Sequence, residues 1–118
     1  MADCKVSEFM EMQRIQAKEH GWDKNRVPEQ GHRSLLWTVG EMGEMIDIIK
    51  KKGHTAIMEN GAVRAHFVEE MSDVLMYFTD TLLRFGITPE EISEAYIEKH
   101  CKNMGRDYDA QYREMYSK

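Results

Sequence analysis

Proline and cysteine are scarce in this chain, with two of each in 118 residues. Pro28 and Pro89 both fall where helices can begin, so long stretches remain free of helix breakers. Cys4 and Cys101 lie far apart and form no C-x-x-C arrangement. That argues against a secreted disulfide framework and for free thiols in a reducing compartment. No apolar stretch is long enough to span a bilayer, and no charged start precedes an apolar run. A cytoplasmic protein with no membrane partner is expected. An excess of positive charge is missing as well: 16 Lys and Arg face 21 Asp and Glu, a formal charge of −5. Nucleic-acid binding leaves the opposite footprint, so no nucleic acid is expected as a partner. No segment alternates with period two for long enough to make a strand.

What is present reads as helix. Hydrophobic residues make up 42% and charged residues 31%, ordinary for a soluble domain, and a 13.9 kDa chain has room for one domain over 1–118 with a modest core. The ten methionines are expected to fill that core. A first helix is predicted from Ser7 to His20, with Phe9, Met10, Met12 and Ile15 as its apolar face, followed by a loop from Trp22 to Gly31. A second helix is predicted from His32 to Lys52, stopped at Gly53. Asn60 caps a third that runs to Phe85, with Gly86 closing it. Thr88, Pro89 and Glu91 form a capping-box signature for a fourth, ending near Asn103. The polar tail from Gly105 to Lys118 is a short helix or an ordered extension. The fold class is therefore all-α, with four or five helices.

Two of these helices carry acids in unexpected places. In helix two, Trp37, Glu41, Glu44 and Ile48 step by four, three and four, which puts them on one face. Helix three repeats the step with His66, Glu70, Asp73 and Tyr77. Leu35, Leu36, Val39, Met42, Ile46 and Ile49 make helix two apolar on most other sides, so it is expected to be central. Clustered buried carboxylates repel one another, and a cation relieves the conflict. Four carboxylates supply the hard oxygen ligands that magnesium prefers, and such an ion also lets an acidic protein hold an anionic substrate. An isolated E-x-x-E is ordinarily a solvated face, and spacing alone leaves both readings open. Glu69 points about a quarter turn away from Glu70, and Asp47 is either a supporting acid or surface. A di-iron bundle would need Glu-x-x-His on each of two helices; the one such pair, Glu29 to His32, falls in the loop region.

The runs Val39-Gly-Glu-Met-Gly-Glu-Met-Ile-Asp47 and Glu69-Glu-Met-Ser-Asp-Val-Leu75 resemble the MazG-like all-α nucleoside triphosphate pyrophosphohydrolases, whose signature is E-x-x-E on one helix and E-x-x-D on the next. His20-Gly-Trp-Asp23 with Pro28-Glu29 is similar to the lead-in loop of the single-domain members, and Lys99, Asn103, Arg106 and Tyr108 to the family's K-x-x-x-N-x-x-R-x-Y tail. The resemblance spans about Phe9 to Tyr108. It implies an oligomeric helical bundle that holds magnesium, or manganese in its place, through Glu41, Glu44, Glu70 and Asp73. These same acids would be catalytic, cleaving a nucleoside triphosphate to monophosphate and pyrophosphate. The departure is Gly40, where the family motif often has a first glutamate; Glu44 is then the first choice of general base, with any of the four acids able to serve.

Substrate contacts follow from the same resemblance. Lys99 and Arg106 would meet triphosphate oxygens, Asn103 phosphate or sugar, and Tyr108 completes the tail motif. Trp22 would stack a base, while Trp37 is assigned to core packing and His66 to the helix surface or to support of a ligand. A house-cleaning role on deoxy- or modified nucleotides is expected, with a phosphoribosyl-ATP or dCTP/dUTP-type activity, or a non-catalytic nucleotide-binding adaptor, as alternatives. A chain this short cannot cover so apolar a helix alone, so a homodimer or homotetramer is expected.

Overall fold

Asn60 shows how local chemistry sets the frame. Its side-chain oxygen accepts from the backbone N–H groups of Ala62 and Val63 at 3.0 and 3.2 Å, so one residue ends a helix and starts the next. The computed structural model describes residues 3–106 and 108–116, apart from the side chains of Asn25 and Tyr108. The order is α1 (Val6–Glu19), two short 3-10 turns (Trp22–Asn25 and Pro28–Gln30), α2 (Gly31–Glu59), α3 (Gly61–Arg84), α4 (Pro89–Met104) and α5 (Tyr108–Tyr116). No strand occurs among the described residues. The all-α expectation holds, and the tail does form a helix. At Gly53 the backbone turns out of the helix (φ 81°, ψ 158°), as the sequence predicts, but helical structure resumes and runs to Glu59. The chain forms two compact units, Met1–Thr88 and Pro89–Lys118.

In the first unit, α2 and α3 form an antiparallel hairpin with α1 packed on α3. The α2 side of the contact is Gly31, Ser34, Thr38, Glu41, Met45 and Ile48, stepping by three and four. On α3 it is Val63, Phe67, Glu70, Val74, Tyr77, Thr81 and Arg84, and all thirteen residues are buried or half-buried. These are heptad-like seams, the spacing that keeps one stripe of a helix facing its neighbour. Small hydroxyl residues let the backbones approach. Ser34 and Thr81 share a hydrogen bond at 2.6 Å, and Thr38 donates to the Ser34 carbonyl at 2.8 Å, so the buried hydroxyls are satisfied. At the hairpin's open end the Phe85 ring lies 2.3 Å from where a Cβ on Gly31 would stand, so any larger residue at 31 would displace that ring.

Three expectations are corrected. The packed face of α1 is Met10, Gln13 and Ala17, whereas Phe9, Met12 and Ile15 are 40–56% exposed. The apolar residues Leu35, Leu36, Val39, Met42, Ile46 and Ile49 of α2 are likewise exposed; its buried stripe is mostly small or polar. Among the methionines of the described residues, only Met10 belongs to the buried core, while Met12, Met42, Met58, Met71, Met76, Met104 and Met115 are exposed. One cause underlies all three. Within the first unit each α-helix has a single packed neighbour or two, so only the stripe facing that neighbour leaves water, whatever the rest of its surface is made of.

Candidate metal centre and adjoining cavity

The α2–α3 seam is where acids become costly, and three of the four expected acids converge there. Glu41 from α2 and Glu70 and Asp73 from α3 each place a carboxylate oxygen within 4.8 Å of the others, and all three are half-buried. Two oxygens that both ligate one magnesium at about 2.1 Å lie at most about 4.2 Å apart, so small side-chain adjustments would bring the three onto one ion. Glu44, one turn along α2, is exposed and lies outside this cluster. It lines a separate cavity of about 310 Å³ with Asp47, Lys51, Lys52 and His66. Glu69 is exposed, and Asp47 pairs with Lys51 at 3.2 Å on the surface. His66 is exposed too, with Nε2 3.4 Å from Glu70.

Crowding shows in the protonation of Glu41. Its carboxyl is pushed up to about 7 by a hydrogen bond to Glu70, then by burial and by the charges of Glu70, Asp73 and Glu44. The folded protein thus holds a proton that the unfolded chain, titrating near 4.5, releases. Metal-free protein should therefore lose stability as pH rises from about 4.5 to about 7, and no more from this group above that. Melting temperatures in chelator across that range should fall in the wild type. Glu41→Gln should flatten the slope; an unchanged slope in that variant would assign the effect elsewhere.

Beside the acids opens a cavity of about 580 Å³. Asp73 belongs to both the cluster and the cavity wall. Trp22, Trp37 and Tyr77 give the cavity aromatic sides, with Trp37 and Tyr77 at 5.6 Å between ring centroids. Burial, and then the charges of Glu41 and Asp73, raise the Tyr77 hydroxyl above its ordinary value, so it stays a neutral donor. Trp22 stacks on His20 at 4.6 Å. Trp37, assigned to the core by the sequence, is 47% exposed and faces this cavity instead, because its position lies beside the packed seam.

Polar side chains complete the wall. Gln13 is buried, and the Gln30 side-chain oxygen is buried without a partner. Lys24 and Arg33 bring cationic ends. At the base, Asp80 binds Arg84 Nε at 2.7 Å and Arg26 Nε at 3.2 Å. Arg26 also reaches the Gln13 carbonyl and Arg84 the Gln30 carbonyl, each at 3.5 Å. These bonds tie the segment between α1 and α2 to α3, and that segment carries Trp22, Lys24, Val27 and Gln30 into the cavity wall. None of Gln13, Gln30, Arg26, Asp80 or Arg84 was singled out from the sequence. The one available signal was a polar residue at position 13 in register with Met10 and Ala17, and it was masked by the more apolar opposite face.

Comparison of the chain with models of known families, with characterised proteins and with solved structures returns no match.

The expected phosphate-binding residues lie in the second unit. Lys99 and Asn103 share one face of α4, four residues apart; Lys99 is exposed, and Asn103 is half-buried with its side-chain oxygen unpartnered. Arg106 follows the helix end, exposed, with its backbone N–H on the Asn103 carbonyl at 3.2 Å. Tyr108 opens α5, and its side chain lies outside the described residues. Cys4 and Cys101 are exposed free thiols. No helix among the described residues is long and apolar enough to cross a membrane.

Proposed function

We propose that the chain hydrolyses a nucleoside triphosphate to the monophosphate and pyrophosphate with magnesium bound at Glu41, Glu70 and Asp73. The observation that carries this reading is Asp73, which joins a three-carboxylate cluster to a cavity with aromatic and carboxamide walls. Such a cavity suits a nucleoside: flat apolar rings for a base, and buried amide groups for its hydrogen-bonding edge. The carboxylates suit a divalent ion, since hard oxygen donors and a crowded negative site are what magnesium accepts. Bound there, the ion would neutralise phosphate charge and lower the pKa of the attacking water.

The chain's own groups have separate tasks. Tyr77, held neutral beside the acids, donates toward the substrate. Lys24 and Arg33, on the cavity wall, offset triphosphate charge. Glu44, not engaged in the three-acid cluster, takes the proton from water as oxygen bonds to the α-phosphorus and the bond to the pyrophosphate oxygen breaks. The same chemistry fits clearance of deoxy- or modified nucleotides.

Turnover in oxygen-18 water tests this directly. Label should appear in the monophosphate, with pyrophosphate unlabelled. Label in pyrophosphate, or orthophosphate as the first product, would place attack on another phosphorus. Nucleotide binding with no release of pyrophosphate would leave a non-catalytic binding module.

A further inference from the structure

We propose that the smaller cavity, toward the closed end of the α2–α3 hairpin, holds the terminal diphosphate of the substrate and the pyrophosphate it becomes, through Lys51, Lys52 and His66. The inference rests on the hydrolysis proposed above and adds the place and the ligands of the leaving group. At about 310 Å³ this cavity is at the small end of ligand sites. Ile48 forms part of its wall, and Glu44, Asp47, Lys51, Lys52 and His66 supply its charged and polar groups. All of these residues belong to the first unit.

Both cavities open on one side of the hairpin, with the three acids between them. Arg33 and Trp37 of the larger cavity, and Glu44 and Asp47 of the smaller, each sit one residue N-terminal to the contact seam of α2. Asp80, Met76 and Asp73 of the larger cavity, and His66 of the smaller, do the same on α3. One residue is a rotation of about 100°, and equal rotations of two antiparallel helices turn both sets to the same side. Along that side α2 runs from Trp37 past Glu41 to Glu44, Asp47 and Lys51, while α3 runs back from Met76 past Asp73 and Glu70 to His66. Two interactions tie the smaller cavity to the acids. His66 Nε2 is 3.4 Å from Glu70, and the charge of Glu44 is among those that raise the Glu41 carboxyl.

With a base in the aromatic cavity and the α-phosphate at the acids, the β- and γ-phosphates must lie on the far side of the acids. That is where the cationic groups stand. Helical side chains lean toward the N-terminus, and Lys51 accordingly reaches back one turn to place Nζ 3.2 Å from Asp47. Its ammonium therefore stands over the stretch of groove next to the acids. Its pair with Asp47 is exposed on both sides and worth little, so a phosphate can take Lys51 from it. Lys52 adds a second ammonium and His66 a ring N–H donor. Glu44 and Asp47 oppose a bare polyanion, so the diphosphate enters together with its magnesium.

Calorimetry with inorganic pyrophosphate and magnesium probes the cavity without turnover. The wild-type chain should bind, and the double variant Lys51→Gln, Lys52→Gln should bind at least about tenfold more weakly, since a hydrogen bond between charged groups is worth that much. Both lysines are exposed, so the melting temperature should not move. No binding to the wild type, or unchanged affinity in the double variant, overturns the proposal. Asp47→Asn should tighten binding, because it releases Lys51 and removes a negative charge. Weaker binding in that variant would mean that the acids of this cavity take a cation, and also overturns it. A nucleoside triphosphate with a methylene bridge between its α- and β-phosphorus should lose affinity in the double variant, while a nucleoside monophosphate keeps its own; equal losses count against the assignment. A chain that holds pyrophosphate through the lysines but cleaves no triphosphate keeps this site and loses the hydrolysis reading. Turnover with KM unchanged in the double variant does the reverse.

Discussion

Glu70→Gln is expected to abolish turnover while leaving the metal-free protein as stable as the wild type or more so. The substitution keeps the side chain's shape and removes one of three converging carboxyl groups. It relieves repulsion at the seam, and the amide oxygen can still accept the hydrogen bond from protonated Glu41. The contact with His66 is at the surface and contributes little. Activity should nevertheless fall by more than about 100-fold, since even a group that merely orients a metal ligand is worth about 10–100-fold. Magnesium should raise the melting temperature of the wild type, because it binds the folded arrangement and not the unfolded chain, and that rise should shrink in the variant. A solvated glutamate behaves differently: its change to glutamine shifts stability by under about 0.5 kcal/mol and spares activity. An active Glu70→Gln protein would remove this residue from the metal site. If the variant is inactive and also poorly folded, Asp73→Asn provides the same comparison from the next turn of α3.

Asp80→Asn should be the most destabilising single polar substitution in the first unit, at about 3–5 kcal/mol. Asp80 stands between two guanidiniums, and the side chains of Arg26, Asp80 and Arg84 are only 10%, 11% and 7% exposed. Removing the carboxylate takes away the counter-charge that these two largely buried guanidiniums share. For a chain of this length that loss lowers the melting temperature by more than about 10 °C. Asp47→Asn makes the control, since its pair with Lys51 is exposed on both sides and should cost under about 0.5 kcal/mol. Urea denaturation of the two variants side by side measures the difference. A cost below about 1 kcal/mol for Asp80→Asn would mean that water reaches the guanidiniums and that this hub does not hold the segment carrying Trp22 and Gln30. The functional consequence follows the same bonds: a loosened segment would weaken nucleotide binding without touching the acids.

Helix identity was legible in the sequence because its signals are local. The Asn60 cap, the glycines at 53 and 86 with positive φ, and the proline opening α4 act within a few residues of themselves. Three of the four expected acids were legible for the same reason, since i, i+3 and i+4 spacing fixes which residues of one helix share a face. Which face packs was not legible. Helix two is apolar nearly all round, so hydrophobicity could not choose between the Leu35–Ile49 stripe and the stripe holding Ser34, Thr38 and Glu41. The structure buries the second, where small hydroxyl residues let α2 and α3 come close.

The same limit governs the candidate site. Sequence determined that Glu41, Glu44, Glu70 and Asp73 lie on the faces of two long helices, but spacing within a helix says nothing about distances between helices. Only the pairing of α2 with α3 decided that Glu41 meets Glu70 and Asp73 while Glu44 stays outside the cluster. The cavity depended still more on tertiary structure, being assembled from α1, the 3-10 turns, α2 and α3 at once. Gln13 and Asp80 are 67 positions apart along the chain, and Arg26 joins them through contacts that no local pattern encodes. Secondary structure and the face of each acid are properties of short stretches of chain. The cavity, its buried carboxamides and its ionic base exist only once distant stretches have packed.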